Sequence, residues 1–198
     1  MEDNFNFIIF SFFETSSLTA IKNAVREIFN KDIQGGRAEF IAKPFSISEF
    51  INPSMDGEHD DIFCFWKVQQ YPCKVFFISN SADGRKTLCN VLHLKLCCSF
   101  YQFAFSNGIE SPFFLFHYSP KHGIDRDVLN YKEDKWLFYE KGPKNKIEEE
   151  EFYKRRMRRE RLNKEILLHY LNKTGVTFED IDKNIIGYFI FKRIVKLQ

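Results

Sequence analysis

Six cations stand within eight residues near the C-terminus: Lys154, Arg155, Arg156, Arg158, Arg159 and Arg161. Such a run suits a nucleic-acid backbone, where each Lys or Arg that meets a phosphate releases counterions. Trp136, Phe138 and Tyr139 lie just upstream and could stack bases. A simpler reading competes with this one. Glu150–Lys154, Glu151–Arg155 and Glu160–Lys164 are acid-first i,i+4 pairs that would brace a solvated helix, and its leading glutamates would sit at the positive end of the helix dipole. The pI near 8.2 is below that of dedicated nucleic-acid binders.

Three further constellations bear chemical side chains. Cys89, His93 and Cys97 recur at i, i+4 and i+8 on one expected helix, with Cys64 or Cys73 as a possible fourth ligand. Zinc favours S and N ligands of this kind. No Cys-x-x-Cys occurs, however, and ligands spread over two turns drift apart in angle, so no metal is expected. Asp125 and Asp127 precede Glu133-Asp134-Lys135. The acidic-x-Lys order resembles the core of metal-dependent nucleases, in which carboxylates hold a divalent ion and the lysine steadies a water. Here Lys132–Lys135 reads as a hairpin turn, which fits that core poorly. His117 and His122 flank Tyr-Ser-Pro-Lys and could do acid–base work at neutral pH, with nothing else to support it.

No dinucleotide, Walker, zincin or nucleophile-elbow signature occurs. Ser81–Lys86 lacks the glycines of a phosphate loop. No catalytic residue and no cofactor are therefore assigned. An acidic stretch remains, Asp56, Glu58, Asp60 and Asp61, without the order of a calcium loop. As a surface it would steer a basic partner.

The elements that must carry these residues follow from periodicity. Residues 5–13 read as a buried aromatic strand; they lack the basic leader and cleavage site of a signal peptide. Ser17 or a neighbour can cap a helix with Leu18, Ile21, Val25 and Ile28 on one face. Residues 62–68 and 74–79 form a hairpin pair. A helix capped near Ser81 or Asp83 is expected to run to about Phe105, apolar nearly all round and so buried. Strands are expected at 113–118, 128–131 and 135–140, the last closed by Gly142-Pro143. A charged helix over 148–172 ends at Gly175, and 185–194 makes a final strand.

Short turns between paired strands predict an α+β fold: a mainly antiparallel sheet packed against one long buried helix, with a charged C-terminal helix. The 198 residues suit a single domain, with 1–145 as sheet-and-helix core and 146–198 as charged helix and terminal strand. Apolar residues make up 44% and charged residues 28%, which excludes disorder. The 24 phenylalanines reflect A/T-rich coding and core demand more than an interface. Five cysteines, an odd count, read as free thiols in a reducing cytoplasm. The most apolar tract, 88–105, contains Asn90, His93, Lys95 and Gln102, so no membrane span is expected. Charge is uneven: residues 1–130 carry 12 Lys/Arg against 15 Asp/Glu, and residues 131–198 carry 17 against 12.

A motif-free α+β chain of this kind is expected to be a cytosolic protein-binding module. In general build it resembles the small immunity proteins that cover the active site of a bacterial toxin. Asp56, Glu58, Asp60, Asp61, Trp136 and Tyr139 are the expected partner face. The alternatives are a nucleic-acid-binding protein using Lys154, Arg155, Arg156, Arg158 and Arg159, and a metal-dependent nuclease.

Overall fold

Nine strands form one sheet in the computed structural model, which describes residues 5–53, 60–108 and 110–194. The strands are β1 (Phe7–Phe13), β2 (Ala38–Ile41), β3 (Asp61–Val68), β4 (Val75–Ser79), β5 (Phe100–Ser106), β6 (Phe113–Ser119), β7 (Arg126–Lys132), β8 (Trp136–Lys141) and β9 (Ile185–Arg193). Their order is β2-β9-β3-β4-β1-β5-β6-β7-β8, and every pairing is antiparallel. β5 to β8 form a meander joined by short turns. β2 and β8 are the outer strands.

The helices are short: α1 (Leu18–Ile28), α2 (Asn30–Gln34), α3 (Lys86–Leu96), α4 (Glu150–Tyr153) and α5 (Lys164–Lys173). α1 starts where Ser17 accepts a hydrogen bond from the Ala20 amide, and it buries Ile21, Ala24 and Val25 at helical spacing. Among the described residues no helix is long and apolar enough to cross a membrane.

Two expected helices are overturned. The single long buried helix does not exist: α3 stops at Leu96, Cys97 takes a left-handed conformation (φ 49°), and the chain re-enters the sheet as β5. The apolar tract was ambiguous because β5 is buried on both faces, and such a strand has no alternation to separate it from a core helix. The charged C-terminal helix is likewise broken into α4, a 3-10 turn at Arg158–Glu160, and α5. Tyr153 and Leu162 are both buried. They are nine residues apart, about half a turn out of phase on a helix of roughly 3.6 residues per turn. One straight helix could bury only one of them, so tertiary packing overrides helix propensity. Of the expected i,i+4 pairs, Glu150–Lys154 forms at 3.0 Å, while the Arg155 guanidinium donates instead to the Glu160 carbonyl at 3.1 Å.

Each face of the sheet has its own core. One, called here the C-terminal face, packs Phe10, Phe12, Trp66, Phe103 and Phe116 under α5 and the flanking turns, with Tyr170, Leu167 and Phe178 among the covering side chains. Trp66 Nε1 fixes that cover by donating to the Ile181 carbonyl at 2.6 Å. The other, the helix face, packs Phe13, Phe63, Phe65 and Phe77 under α1 and α3. A third, smaller cluster of Ile9, Ala104 and Leu115 lies apart from both.

Candidate functional site

Side chains alternate across a strand, so paired residues share a face. The registers place Ser11, Gln102, His117, Asp127 and Lys141 in one row across β1, β5, β6, β7 and β8 on the helix face. This is a polar row in a phenylalanine-rich sheet. The α3 end of the 81–84 turn sits on it. Gln102 donates to the Gly84 carbonyl at 3.1 Å and to Ser11 Oγ at 3.2 Å, and Lys86 Nζ donates to Asp127 Oδ1 at 2.7 Å. Gly84 is required there. Its φ is +58°, and a Cβ would come within 2.6 Å of Ile9 and 2.8 Å of Gln102.

His117 anchors the middle of the row. Its Nδ1 is 2.7 Å from Asp127 Oδ1 and its Nε2 is 3.1 Å from Ser119 Oγ. Serine, histidine and aspartate thus stand in the order of nucleophile, base and orienting carboxylate. Ser119 and His117 are fully buried, and the Ser119 hydroxyl is donated to Asp125 Oδ1 at 2.7 Å. A substrate carbonyl has no path to that oxygen, so the row acts as a structural polar network and not as an acyl-transfer site.

The network has a consequence for acid stability. The His117 hydrogen bond, supplemented by Lys86, holds the Asp127 carboxyl well below the usual carboxylate range. A group with a depressed folded value stabilises the fold above its unfolded value, about 3.9, and loses that contribution as pH falls toward the folded value. Asp127→Asn is therefore expected to cost roughly 1–3 kcal/mol near pH 7. In denaturant melts the deficit relative to wild type should shrink steadily below about pH 4. A deficit that stayed constant down to pH 2 would contradict this role.

Beyond the polar row the helix face is open. Among the described residues no helix packs over the outer ends of β6, β7 and β8 on this side; the 3-10 turn and α5 lie on the other. The exposed strip continues the small apolar cluster through Phe113 and Leu129, which are half-buried, to Leu137 and Tyr139. Tyr139 is 51% exposed. An apolar strip on a sheet, rimmed by Lys86, Asp127 and Lys141, has the composition of a docking surface.

The sequence-predicted residues scatter around the molecule. Tyr139 lies on the open strip. Trp136, three positions earlier on the same strand, points to the C-terminal face and stacks on Phe114 with ring centroids 6.3 Å apart. Asp60 pairs with Lys192 at 2.6 Å. Asp61, expected on an acidic surface loop, opens β3 and is buried against Arg85. Asp56 and Glu58 lie outside the described residues.

Several of the cations are occupied. Lys154 pairs with Glu150, Arg155 lies over the Phe152 ring, Arg161 lies over Phe138, and Arg158 donates to the Trp136 carbonyl at 3.2 Å. Arg156 and Arg159 are exposed.

The nuclease-like residues are not brought together. Asp127 and Glu133 stand at opposite ends of β7, roughly 20 Å apart at about 3.3 Å per residue. Cys89 and His93 are buried whereas Cys97 is exposed, and His93 Nδ1 meets the Cys98 carbonyl at 2.6 Å. Among the described residues no three His, Cys, Asp or Glu side chains gather into a group that could hold a metal ion. Burial pushes the Cys89 thiol up to about 12 and Cys98 up to about 11, which keeps both unreactive near neutral pH.

The polar row and the open strip were missed in the sequence because they are made by register between distant strands. Ser11 and Gln102 are 91 residues apart. Comparison with known proteins gives no guide to the site: no family model, no curated protein and no solved structure matches the chain.

Proposed function

We propose that this chain is a protein-binding module that docks its partner on the open strip of the helix face, between the first turn of α3 and β8. The observation that carries the reading is the apolar strip that runs from the buried Leu115 through half-buried Leu129 and Leu137 to exposed Tyr139, over whose outer part no helix packs among the described residues. Tyrosine and the rimming charges suit a surface that must be wet when free and dry when bound. Ser119 is buried, and Asp127 and Glu133 stand apart, so neither arrangement competes with this reading. In its concrete form the reading is an immunity-type protein that covers the active site of a toxin. A cytoplasmic place of action is supported by five free cysteines, of which Cys64, Cys89 and Cys98 are buried.

The first test uses the partner captured from the native host. Tyr139→Asp replaces the most exposed aromatic ring of the strip, at its β8 edge, by a charge. It should weaken the complex at least tenfold, about 1.4 kcal/mol or more, with an unchanged melting temperature. Undiminished affinity would remove the strip from the interface. Polyanion binding through Arg156 and Arg159 is the alternative outcome, and it would show as salt-labile nucleic acid in the captured material.

A further inference from the structure

β8 ends the sheet, and its outer side is a strand edge. The hydrogen-bond pattern fixes which of its residues face outward. Lys132 donates its amide to the Pro112 carbonyl at 3.0 Å, so Lys132 turns its backbone toward β6. Backbone direction alternates along an antiparallel strand. Tyr131, Leu129 and Asp127 therefore turn toward β8 and bond to Leu137, Tyr139 and Lys141, while Trp136, Phe138 and Glu140 turn outward. The Trp136 carbonyl is engaged there, accepting from Arg158 at 3.2 Å, and just past the strand the Gly142 carbonyl accepts from Arg126 at 3.0 Å. Among the described residues the amides and carbonyls of Phe138 and Glu140 meet no partner.

Such an edge is a template for another strand, and the strand that fits it is β8 of a second copy. About a twofold axis at Tyr139, Phe138 of one copy faces Glu140 of the other, and each such pair exchanges two hydrogen bonds through the unpartnered groups. Trp136 falls opposite Gly142, so the carbonyls already spent meet each other and no bond is displaced. Charge selects the same register. Leu137 falls opposite Lys141, whose aliphatic stem can cover it, and Tyr139 meets its own counterpart. A two-residue slip one way sets Lys141 against Lys135, and a slip the other way sets Glu140 against Glu140. Both are like-charge pairs that destabilise a ladder. In the favoured register the Glu140 carboxylate is drawn to Arg126 Nη2 at 2.6 Å.

We infer that the protein self-associates through β8, as a twofold dimer whose sheets join antiparallel about an axis at Tyr139. The helix faces of the two copies then lie on one side, and their open strips meet at Tyr139. The inference does not rest on the docking reading: it uses the backbone edge of β8, whereas docking uses the face of the sheet.

Sedimentation of the full chain over a concentration series should show a monomer–dimer equilibrium. Glu140→Pro removes an outward amide and leaves the β7 ladder and the side chains of the strip in place. Glu140→Gln loses the same carboxylate and keeps the amide. The proline chain should dimerise at least tenfold more weakly than the glutamine chain, with native circular dichroism in both. Cysteines report the register. Residues opposite each other in a non-hydrogen-bonded pair have Cα atoms about 4.5 Å apart, inside the roughly 4.4–6.8 Å that a disulfide spans. With an added oxidant Tyr139→Cys should therefore give a covalent dimer. Leu137→Cys, and wild type with its exposed Cys73 and Cys97, should not. A homodimer is told from a partner complex by its mass, so failure of one reading leaves the other standing. The inference is overturned if wild type stays monomeric at millimolar concentration, if the proline and glutamine chains dimerise alike, or if Tyr139→Cys crosslinks no better than Leu137→Cys.

Discussion

Replacing Glu148 by alanine is expected to cost about 3–5 kcal/mol of stability, the loss seen when one partner of a buried ion pair is removed. Glu148 has no exposed side-chain surface, and its partner Arg126 is 2% exposed. The carboxylate accepts from Arg126 Nε at 3.0 Å and Nη2 at 2.7 Å, from the Asn145 amide at 2.6 Å and from the Tyr153 hydroxyl at 2.8 Å. Both oxygens are therefore fully used, and the pair joins β7 to the segment that leads into α4. Without Glu148 the guanidinium keeps Glu140, which is 38% exposed, and the carbonyls of Lys141 and Gly142. A buried cation would then face a single, partly solvated carboxylate. The double variant Arg126→Met, Glu148→Leu removes both charges and should recover most of the loss. Chemical denaturation of the three chains measures this. A Glu148→Ala deficit below 1 kcal/mol, or a double variant no better than the single one, would contradict the account.

Gly142→Ala is the second large effect. The glycine turns the chain out of β8 at φ +85°, a region that costs L side chains about 1–2 kcal/mol. A Cβ there would also lie 1.9 Å from the Asp125 carbonyl oxygen and 3.2 Å from the Arg126 Cα, both backbone atoms that cannot rotate away. The turn would have to move, and with it the Gly142 carbonyl that accepts from Arg126 at 3.0 Å. The expected total exceeds about 3 kcal/mol, in the range where a single substitution signals a named steric cause. It should be non-additive with Glu148→Ala, because both act on the same guanidinium. Additive losses in a double-mutant cycle would place the two residues in separate networks.

Much of the strand content was legible from local pattern. The β3–β4 hairpin and β6 announce themselves as aromatic and β-branched runs between turn residues. The opposite facing of Trp136 and Tyr139 was also available, since three positions along a strand reverse the side chain. The helices were less legible for two reasons. β5 is buried on both faces and follows α3 after only Cys97, Cys98 and Ser99, with Cys97 left-handed, so neither glycine nor proline marks the boundary. The break after Tyr153 comes from the need to bury both Tyr153 and Leu162, a requirement of the sheet beneath them. The site was least legible. β1 pairs with β4 and β5, and β9 inserts between β2 and β3, so neighbours in the sheet are far apart in the chain. No local spacing could place His117 between Gln102 and Asp127, or leave Leu129 and Tyr139 side by side on an open strip.

The most direct test of the docking strip is site-specific photo-crosslinking in the native host. A benzophenone amino acid is placed at position 139 in one chain and at position 156 in another, both being exposed. A discrete protein adduct is expected from position 139 and none from position 156. An adduct from position 156 alone, or nucleic acid captured there with nothing at 139, would contradict it and move the functional surface to the arginine turn.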